Sequence, residues 1–226
     1  MFQNIDWANL QNPHLFINGD CMEYMKTMPD KYVDLCISDP PYGINRLHSG
    51  GMPKSSRFIK WERKHWDNEP PSPEYFKELF RVSRNQIIWG GNYFTDNLFP
   101  SMGWVFWFKQ KGMTFADGEL AWTSFQRATR QYDLSGMGAG AGADKFKIHP
   151  TQKPVKLYKW LLTNYAKQGD KILDTHVGSA SSLIACHELG FDYIGFEIDE
   201  DYYKAATKRL GAVKAQLSIF DCGIAR

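Results

Sequence analysis

The chain is 226 residues long, 43% hydrophobic, and carries a formal net charge of +2 at pH 7. That size suits one sizeable domain with its own core, and a charge so near zero excludes a global polycation, leaving any nucleic-acid contact to local basic patches. The four cysteines, Cys21, Cys36, Cys186 and Cys222, form no Cys-x-x-Cys pair, which argues against a zinc site; without a signal peptide or a membrane-length apolar span, a reducing cytoplasm is the expected setting.

In chain order, His14 to Asn18 reads as a short apolar strand ending at Gly19-Asp20, and Cys21 to Met28 as a helix stopped by Pro29. Val33 to Ser38 is an apolar run expected to be a buried strand. Ser72 as N-cap and Pro73 at the first helical position open a helix that runs to Ser83, because proline's missing N–H has no helical partner there. Gln86 to Trp89 is a strand closed by Gly90-Gly91, and Trp104 to Phe108 and Leu120 to Thr123 are two more. Lys153 to Lys167 carries Leu157, Trp160, Leu161 and Tyr165 at helical spacing. Strand then alternates with helix: Lys171 to Val177, Ser179 to Leu189, Asp192 to Ile198, Asp201 to Leu210. Such alternation argues for a doubly wound sheet of parallel strands. Residues 43–71 and 125–150 break the pattern as long loops, and loops of that length in a compact domain are functional or disordered.

Two stretches carry chemistry. Asp39-Pro40-Pro41-Tyr42 sits where the strand Val33 to Ser38 ends, and open α/β sheets bind ligands beyond the carboxyl ends of their strands. The carboxylate can accept an N–H. The prolines fix the backbone so that carbonyls point in a set direction, and Tyr42 offers a flat face for a base. The second stretch is the small-residue turn Thr175-His176-Val177-Gly178-Ser179-Ala180-Ser181-Ser182, between a strand and a helix. Such a turn lets a ligand approach the backbone, and Glu197, about 20 residues on, is placed to hold ribose hydroxyls. No Lys-Ser/Thr pair follows the turn, which excludes a P-loop.

Taken in order, these pieces resemble the S-adenosylmethionine-dependent amino-methyltransferases of DNA, of the permuted β group. Gly19-Asp20-Cys21 comes first, followed by Asp39-Pro40-Pro41-Tyr42 and Gln86-Ile87-Ile88-Trp89-Gly90-Gly91-Asn92-Tyr93-Phe94. Gly103 to Lys109 and Glu119 to Thr123 follow, then His149-Pro150-Thr151-Gln152-Lys153-Pro154 and the turn Asp174 to Ser182. The resemblance spans residues 14 to 211. The turn departs from the family's Asp-Pro-Phe-x-Gly-Ser-Gly-Thr-Thr: Thr175 and His176 replace Pro-Phe, Ala180 replaces the second glycine, and Ser181-Ser182 replace the threonines.

The resemblance implies an α/β, doubly wound, mostly parallel seven-stranded Rossmann-like sheet with an antiparallel terminal hairpin, circularly permuted. One domain, 1–226, would hold a catalytic half, 14–124, ahead of a cofactor half, 149–211. It implies methyl transfer from S-adenosylmethionine to adenine N6 of a flipped-out base, with Asp39, Pro40, Pro41 and Tyr42 as the catalytic group. Asp20, Cys21, Thr151, Lys153, Asp174, His176, Gly178, Ser179, Ser181, Glu197 and Ile198 would border the cofactor. In particular, Asp20 would take the cofactor's adenine amine, and Lys153 and Thr151 its carboxylate. No metal is expected. DNA contact is expected from Arg46, Lys54, Arg57, Lys60, Arg63 and Lys64, interleaved with Trp61 and Trp66, and from Arg127 and Arg130, since phosphate contacts need cations. The alternatives are cytosine-N4 methylation and a catalytically weakened nucleic-acid-binding homologue. Homodimerisation and a cognate endonuclease stay open as partners, a membrane is not expected, and the setting would be a bacterial cell or its phage.

Overall fold

The computed structural model describes residues 4–11, 13–44, 68–109, 116–134 and 147–223. Its centre is one sheet of eight strands: β1 (His14–Asn18), β2 (Val33–Ser38), β3 (Ser83–Trp89), β4 (Trp104–Phe108), β5 (Gly118–Thr123), β6 (Arg130–Asp133), β7 (Lys171–Asp174) and β8 (Asp192–Glu197). In space they run β1-β8-β7-β2-β3-β5-β4-β6. The first five are parallel neighbours, with Leu15 opposite Ile194, Leu35 opposite Ile172 and Ile37 opposite Ile87. β5 runs antiparallel to β3 and β4 and closes the expected hairpin. β6 is an eighth strand, one more than expected; it lies in the stretch read as loop and pairs parallel with β4.

Helices cover both faces, which is why the central strands are apolar almost without interruption. Five residues of β2 are buried, and Cys36 and Ile37 are at most 1% exposed. On one face Leu35, Ile37, Ile87 and Trp89 pack with α3 (Val155–Tyr165), α4 (Ser181–Leu189) and the first turns of α5 (Glu200–Gly223). On the other, Cys36, Ile88, Leu173 and Ile194 pack with α1 (Cys21–Met25) and α2 (Pro73–Val82). The period-2 alternation of side chains along a strand sends neighbours to opposite cores.

Local signals set the element ends. Pro73 starts α2, although the Ser72 side chain makes no cap bond. Asp20 caps α1 by accepting from the Met22 N–H at 2.9 Å. Gly190, at φ +73°, ends α4 in the left-handed conformation that glycine adopts without strain. Among the described residues no helix is long and apolar enough to cross a membrane.

Because β1, β8, β7, β2 and β3 are parallel, their carboxyl ends share one edge of the sheet. That edge carries Asp20 after β1, Asp39 after β2, Gly90 after β3, the small-residue turn after β7 and Glu197 at the end of β8. Residues separated by more than a hundred positions in the chain thereby meet.

Candidate active site

At this edge lies a cavity of about 320 Å³, within the size range of small-molecule sites. Its walls come from both ends of the chain: Asp39 and Pro41; His149, Thr151, Gln152 and Lys153; Tyr158; His176 to Ser179; and Glu197, Ile198, Asp199 and Tyr202.

Asp39 is held from two sides. Its Oδ1 accepts from the Tyr42 hydroxyl at 2.7 Å, and its Oδ2 is paired with the Lys153 ammonium. Tyr42 is in turn fixed. Its ring stacks on Tyr93 at 4.9 Å and meets Phe94 edge-on at 6.0 Å. Gly90, at φ +68°, lets that ring approach closely, for a Cβ there would lie 2.2 Å from the Tyr42 Cε1 atom. One face of Tyr42 is therefore already covered by Tyr93, itself half exposed.

Lys153 was expected at a cofactor carboxylate. The structure places its ammonium, only 4% exposed, between Asp39 and Glu119, the latter at 3.1 Å, and 5.2 Å from the centre of the Trp89 ring. Glu119, on β5, is also paired with Lys109. Burial pushes the Glu119 carboxyl up, but Lys153 and Lys109 outweigh it and hold it down at about 2. Burial likewise works against the Lys153 ammonium, and Asp39 and Glu119 together raise it above its ordinary value. The result is a chain of alternating charge, Lys109–Glu119–Lys153–Asp39, ending at the cavity.

The turn after β7 is built by internal hydrogen bonds. Asp174 does not line the cavity; it is buried, accepts from the His176 N–H at 3.0 Å and pairs with the Ser182 hydroxyl. Burial raises its carboxyl to about 7. Gly178 donates to Glu197 Oε2 at 2.8 Å, and Asp199 donates to its Oε1 at 2.9 Å, so Glu197 is fixed facing the cavity with burial raising its carboxyl. Ala180 sits at φ +60°, where a Cβ costs about 1–2 kcal/mol; the family's glycine would avoid that cost. Ser179 lines the cavity, whereas Ser181 faces away and accepts from Arg209 Nη1 at 2.9 Å.

The remaining expected residues fall into three groups. Thr151 and Ile198 line the cavity, Ile198 as a 67% exposed apolar lip. Pro40, adjacent to Asp39, and Asp20 and Cys21, at the neighbouring strand end, are outside its lining; Cys21 is buried, which pushes its thiol well up. Of the expected DNA contacts, Arg46, Lys54, Arg57, Lys60, Arg63 and Lys64 lie outside the described residues, as do Trp61 and Trp66. Arg127 and Arg130 are exposed; Arg127 also donates to the Asn164 carbonyl at 2.6 Å and lies over the Tyr165 ring. Among the described residues no three His, Cys, Asp or Glu side chains are grouped to hold a metal ion.

Sequence reasoning missed Glu119, Tyr158 and Tyr202 as part of this region. Glu119 looks like an ordinary strand residue, and nothing local marks its partner. Tyr202 packs its ring on His149 at 4.3 Å; its only signal is a position five residues beyond Glu197.

Several known proteins are similar to this chain. Residues 104–208 match a family model of N6/N4 methyltransferases described as DNA methylase. YubD of Escherichia coli (strain K12) is 27% identical over 219 residues, covering 88% of this chain and 91% of that protein. The type II methyltransferase M.HinfI of Haemophilus influenzae is 24% identical, covering 88% and 68%. Among solved structures, the M1.HpyAVI–SAM complex superposes with a TM-score of 0.59 at 20% identity, covering 87% of this chain and 98% of that one. The cytosine-N4-specific PvuII DNA methyltransferase gives 0.57 at 12% identity, covering 88% and 90%. The chain resembles the S-adenosylmethionine-dependent DNA amino-methyltransferases, and its α/β fold is theirs.

Proposed function

We propose that this protein is a DNA methyltransferase that moves a methyl group from S-adenosylmethionine to adenine N6. The observation that carries the reading is that one cavity is walled both by Asp39 and Pro41 and by the turn His176 to Ser179 with Glu197. An amine-binding carboxylate and a nucleoside-binding turn thus open into the same space.

The residues present fit that cofactor. Glu197, held by two backbone N–H groups, offers carboxylate oxygens to ribose hydroxyls. The backbone at Gly178 approaches the cavity at φ +55°, and Ser179, Thr151 and His149 supply polar edges around it. Ile198 provides an apolar lip for a base. When bound, the cofactor supplies an electrophilic sulfonium methyl.

The chain's own residues then act by position and charge. An exocyclic amine on adenine is a poor nucleophile, because its lone pair is delocalised into the ring. Asp39 and the Pro40 carbonyl would accept its two hydrogens and draw the nitrogen towards tetrahedral geometry, which frees the lone pair. An ionised carboxylate has about four acceptor sites, so the Tyr42 and Lys153 contacts leave room for the amine. Tyr42 keeps Asp39 aimed, and the Tyr42–Tyr93 stack forms an aromatic wall beside it. The target atom is inaccessible inside a duplex, so the base must leave the stack. Adenine is preferred over cytosine because an Asp leads the tetrapeptide, where serine more often leads in the cytosine-N4 enzymes.

The test is incubation of the protein with labelled S-adenosylmethionine and methyl-free DNA, followed by nucleoside analysis. Label in N6-methyladenosine is expected, and label in N4-methylcytosine would refute the adenine assignment. Asp39→Ala should reduce transfer at least a thousandfold, about 4 kcal/mol of barrier, and leave cofactor affinity within about threefold.

A further inference from the structure

Four polar side chains meet at the cavity wall, of which only His176 belongs to the lining, and the mechanism above gives none of their polar atoms a role. Ser38 ends β2, Tyr75 comes from α2, and Thr175 and His176 follow β7. The hydroxyls form a buried triangle. Ser38 Oγ lies 2.6 Å from Thr175 Oγ1, Thr175 Oγ1 lies 2.7 Å from Tyr75 Oη, and Tyr75 Oη lies 3.2 Å from Ser38 Oγ. His176 turns its Nδ1 to this triangle, 3.0 Å from Thr175 Oγ1 and 3.4 Å from Ser38 Oγ. His176 also belongs to the cavity lining. Among the described residues no other side-chain hydrogen bond reaches these four groups.

Counting protons favours one tautomer. Three hydroxyls bring three protons, and the three edges of the triangle use them all. The fourth contact, between Nδ1 and Thr175, needs its proton from the imidazole. With hydrogen on Nδ1, Thr175 accepts from His176 and from Ser38 and donates to Tyr75, and the longer Ser38 contact shares the same N–H. With hydrogen on Nε2 instead, a hydroxyl must turn to Nδ1, and one edge of the triangle is left with two buried oxygens and no proton between them. Such an unmade bond is unfavourable. The ring stays neutral throughout: burial lowers its pKa to about 4, and Asp20 is the carboxylate acting in the opposite sense.

We infer that His176 presents an unprotonated Nε2 to the cavity as a hydrogen-bond acceptor, and that it reads a hydrogen of an exocyclic amino group on the bound nucleoside. This rests on the nucleoside-cofactor reading given above. A phenylalanine at position 176 would offer only a ring face. The imidazole adds an acceptor that a 6-amino purine satisfies, whereas a 6-oxo purine sets its carbonyl against it. His176 is thus a specificity residue for the cofactor's base.

Two measurements test this. In the full-length chain labelled with ¹⁵N-histidine, long-range ¹H–¹⁵N correlations report the tautomer without any ligand, and His176→Phe assigns the signal. An Nδ1–H pattern that stays constant from pH 5.5 to 8 is expected; an Nε2–H pattern, or titration near the ordinary histidine value of about 6.5, overturns the inference. Calorimetry then compares S-adenosylhomocysteine with S-inosylhomocysteine. The unsubstituted protein should prefer the amino compound, and His176→Phe should cut that preference about tenfold. Thr175→Val, which frees Nδ1, should weaken the preference too and serves if the phenylalanine variant does not fold. An unchanged preference in either variant overturns the inference. If neither compound binds the unsubstituted protein, the cofactor reading itself fails, and the base reading with it, whatever the tautomer.

Discussion

Replacing Lys153 by Met removes the cation between Asp39 and Glu119 and keeps most of the apolar stem. Breaking a buried ion pair by deleting one partner costs about 3–5 kcal/mol. Here the lower end applies: Lys153 is only 4% exposed, but Asp39 retains the Tyr42 hydroxyl and Glu119 retains Lys109. A loss of about 3 kcal/mol corresponds to a fall in Tm of about 6–12 °C for a domain of this size. The effect should depend on pH. Glu119 is held at about 2, below its ordinary 4.5. Its ionised form therefore stabilises the native state above about pH 4.5, and that contribution fades as pH falls towards 2. Thermal unfolding followed by circular dichroism should show the full gap between Lys153→Met and the parent at pH 7 and a smaller gap at pH 3.5. Adding Glu119→Gln to Lys153→Met should recover about 1 kcal/mol, since a buried carboxylate left with one of its two cations is gone. A variant within 1 °C of the parent at pH 7, or a gap independent of pH, would refute the claim that Lys153 is the keystone of this charge chain.

Gly90→Ala should lower stability by about 2–4 kcal/mol, combining left-handed backbone strain with overpacking against the Tyr42 ring; methyl transfer should fall further than cofactor affinity, and a variant with full transfer would contradict the placement of Tyr42. Asp174→Asn keeps an acceptor for the His176 N–H, turns the Ser182 contact round so that the amide donates to the hydroxyl, and cannot ionise. The Asp174 carboxyl is raised to about 7 from 3.8, chiefly by burial, so its stabilising protonated form is fully effective below about pH 4 and is lost as pH rises through about 7. Denaturant unfolding should therefore show the parent losing about 2–3 kcal/mol relative to Asp174→Asn between pH 5 and 8; parallel stability profiles would refute it.

What the sequence made legible follows from how far each signal reaches. β2, β7 and β8 are buried on both faces, so their apolar runs announce them, and the small-residue turn after β7 shows where a ligand can approach. β6 escaped notice because Arg130-Gln131-Tyr132-Asp133 is an edge strand in which only Tyr132 is partly buried. It has no apolar face to give it a period, and it exists because β4 offers it a ladder. The placement of Lys153 was hidden for a different reason. Its partners are 114 and 34 positions away, and an ion pair across such distances leaves no local pattern. Ser181 and Asp174 look like ligand contacts from their spacing, yet the structure turns Ser181 towards Arg209 and Asp174 towards Ser182 and the His176 N–H.

The interleaved strand order also constrains how the chain can be made. Among the described residues β1 pairs only with β8, and β2 lies between β3 and β7. Strands β1 and β2 thus wait for β7 and β8, made later, before their edges are covered. A nascent or prematurely ended chain that stops before Lys171 would leave one side of β2 as an open apolar edge, the kind of surface that recruits other strands. Cutting the gene between residues 134 and 147 should therefore yield two fragments that aggregate when expressed separately and recover a fold only when produced together.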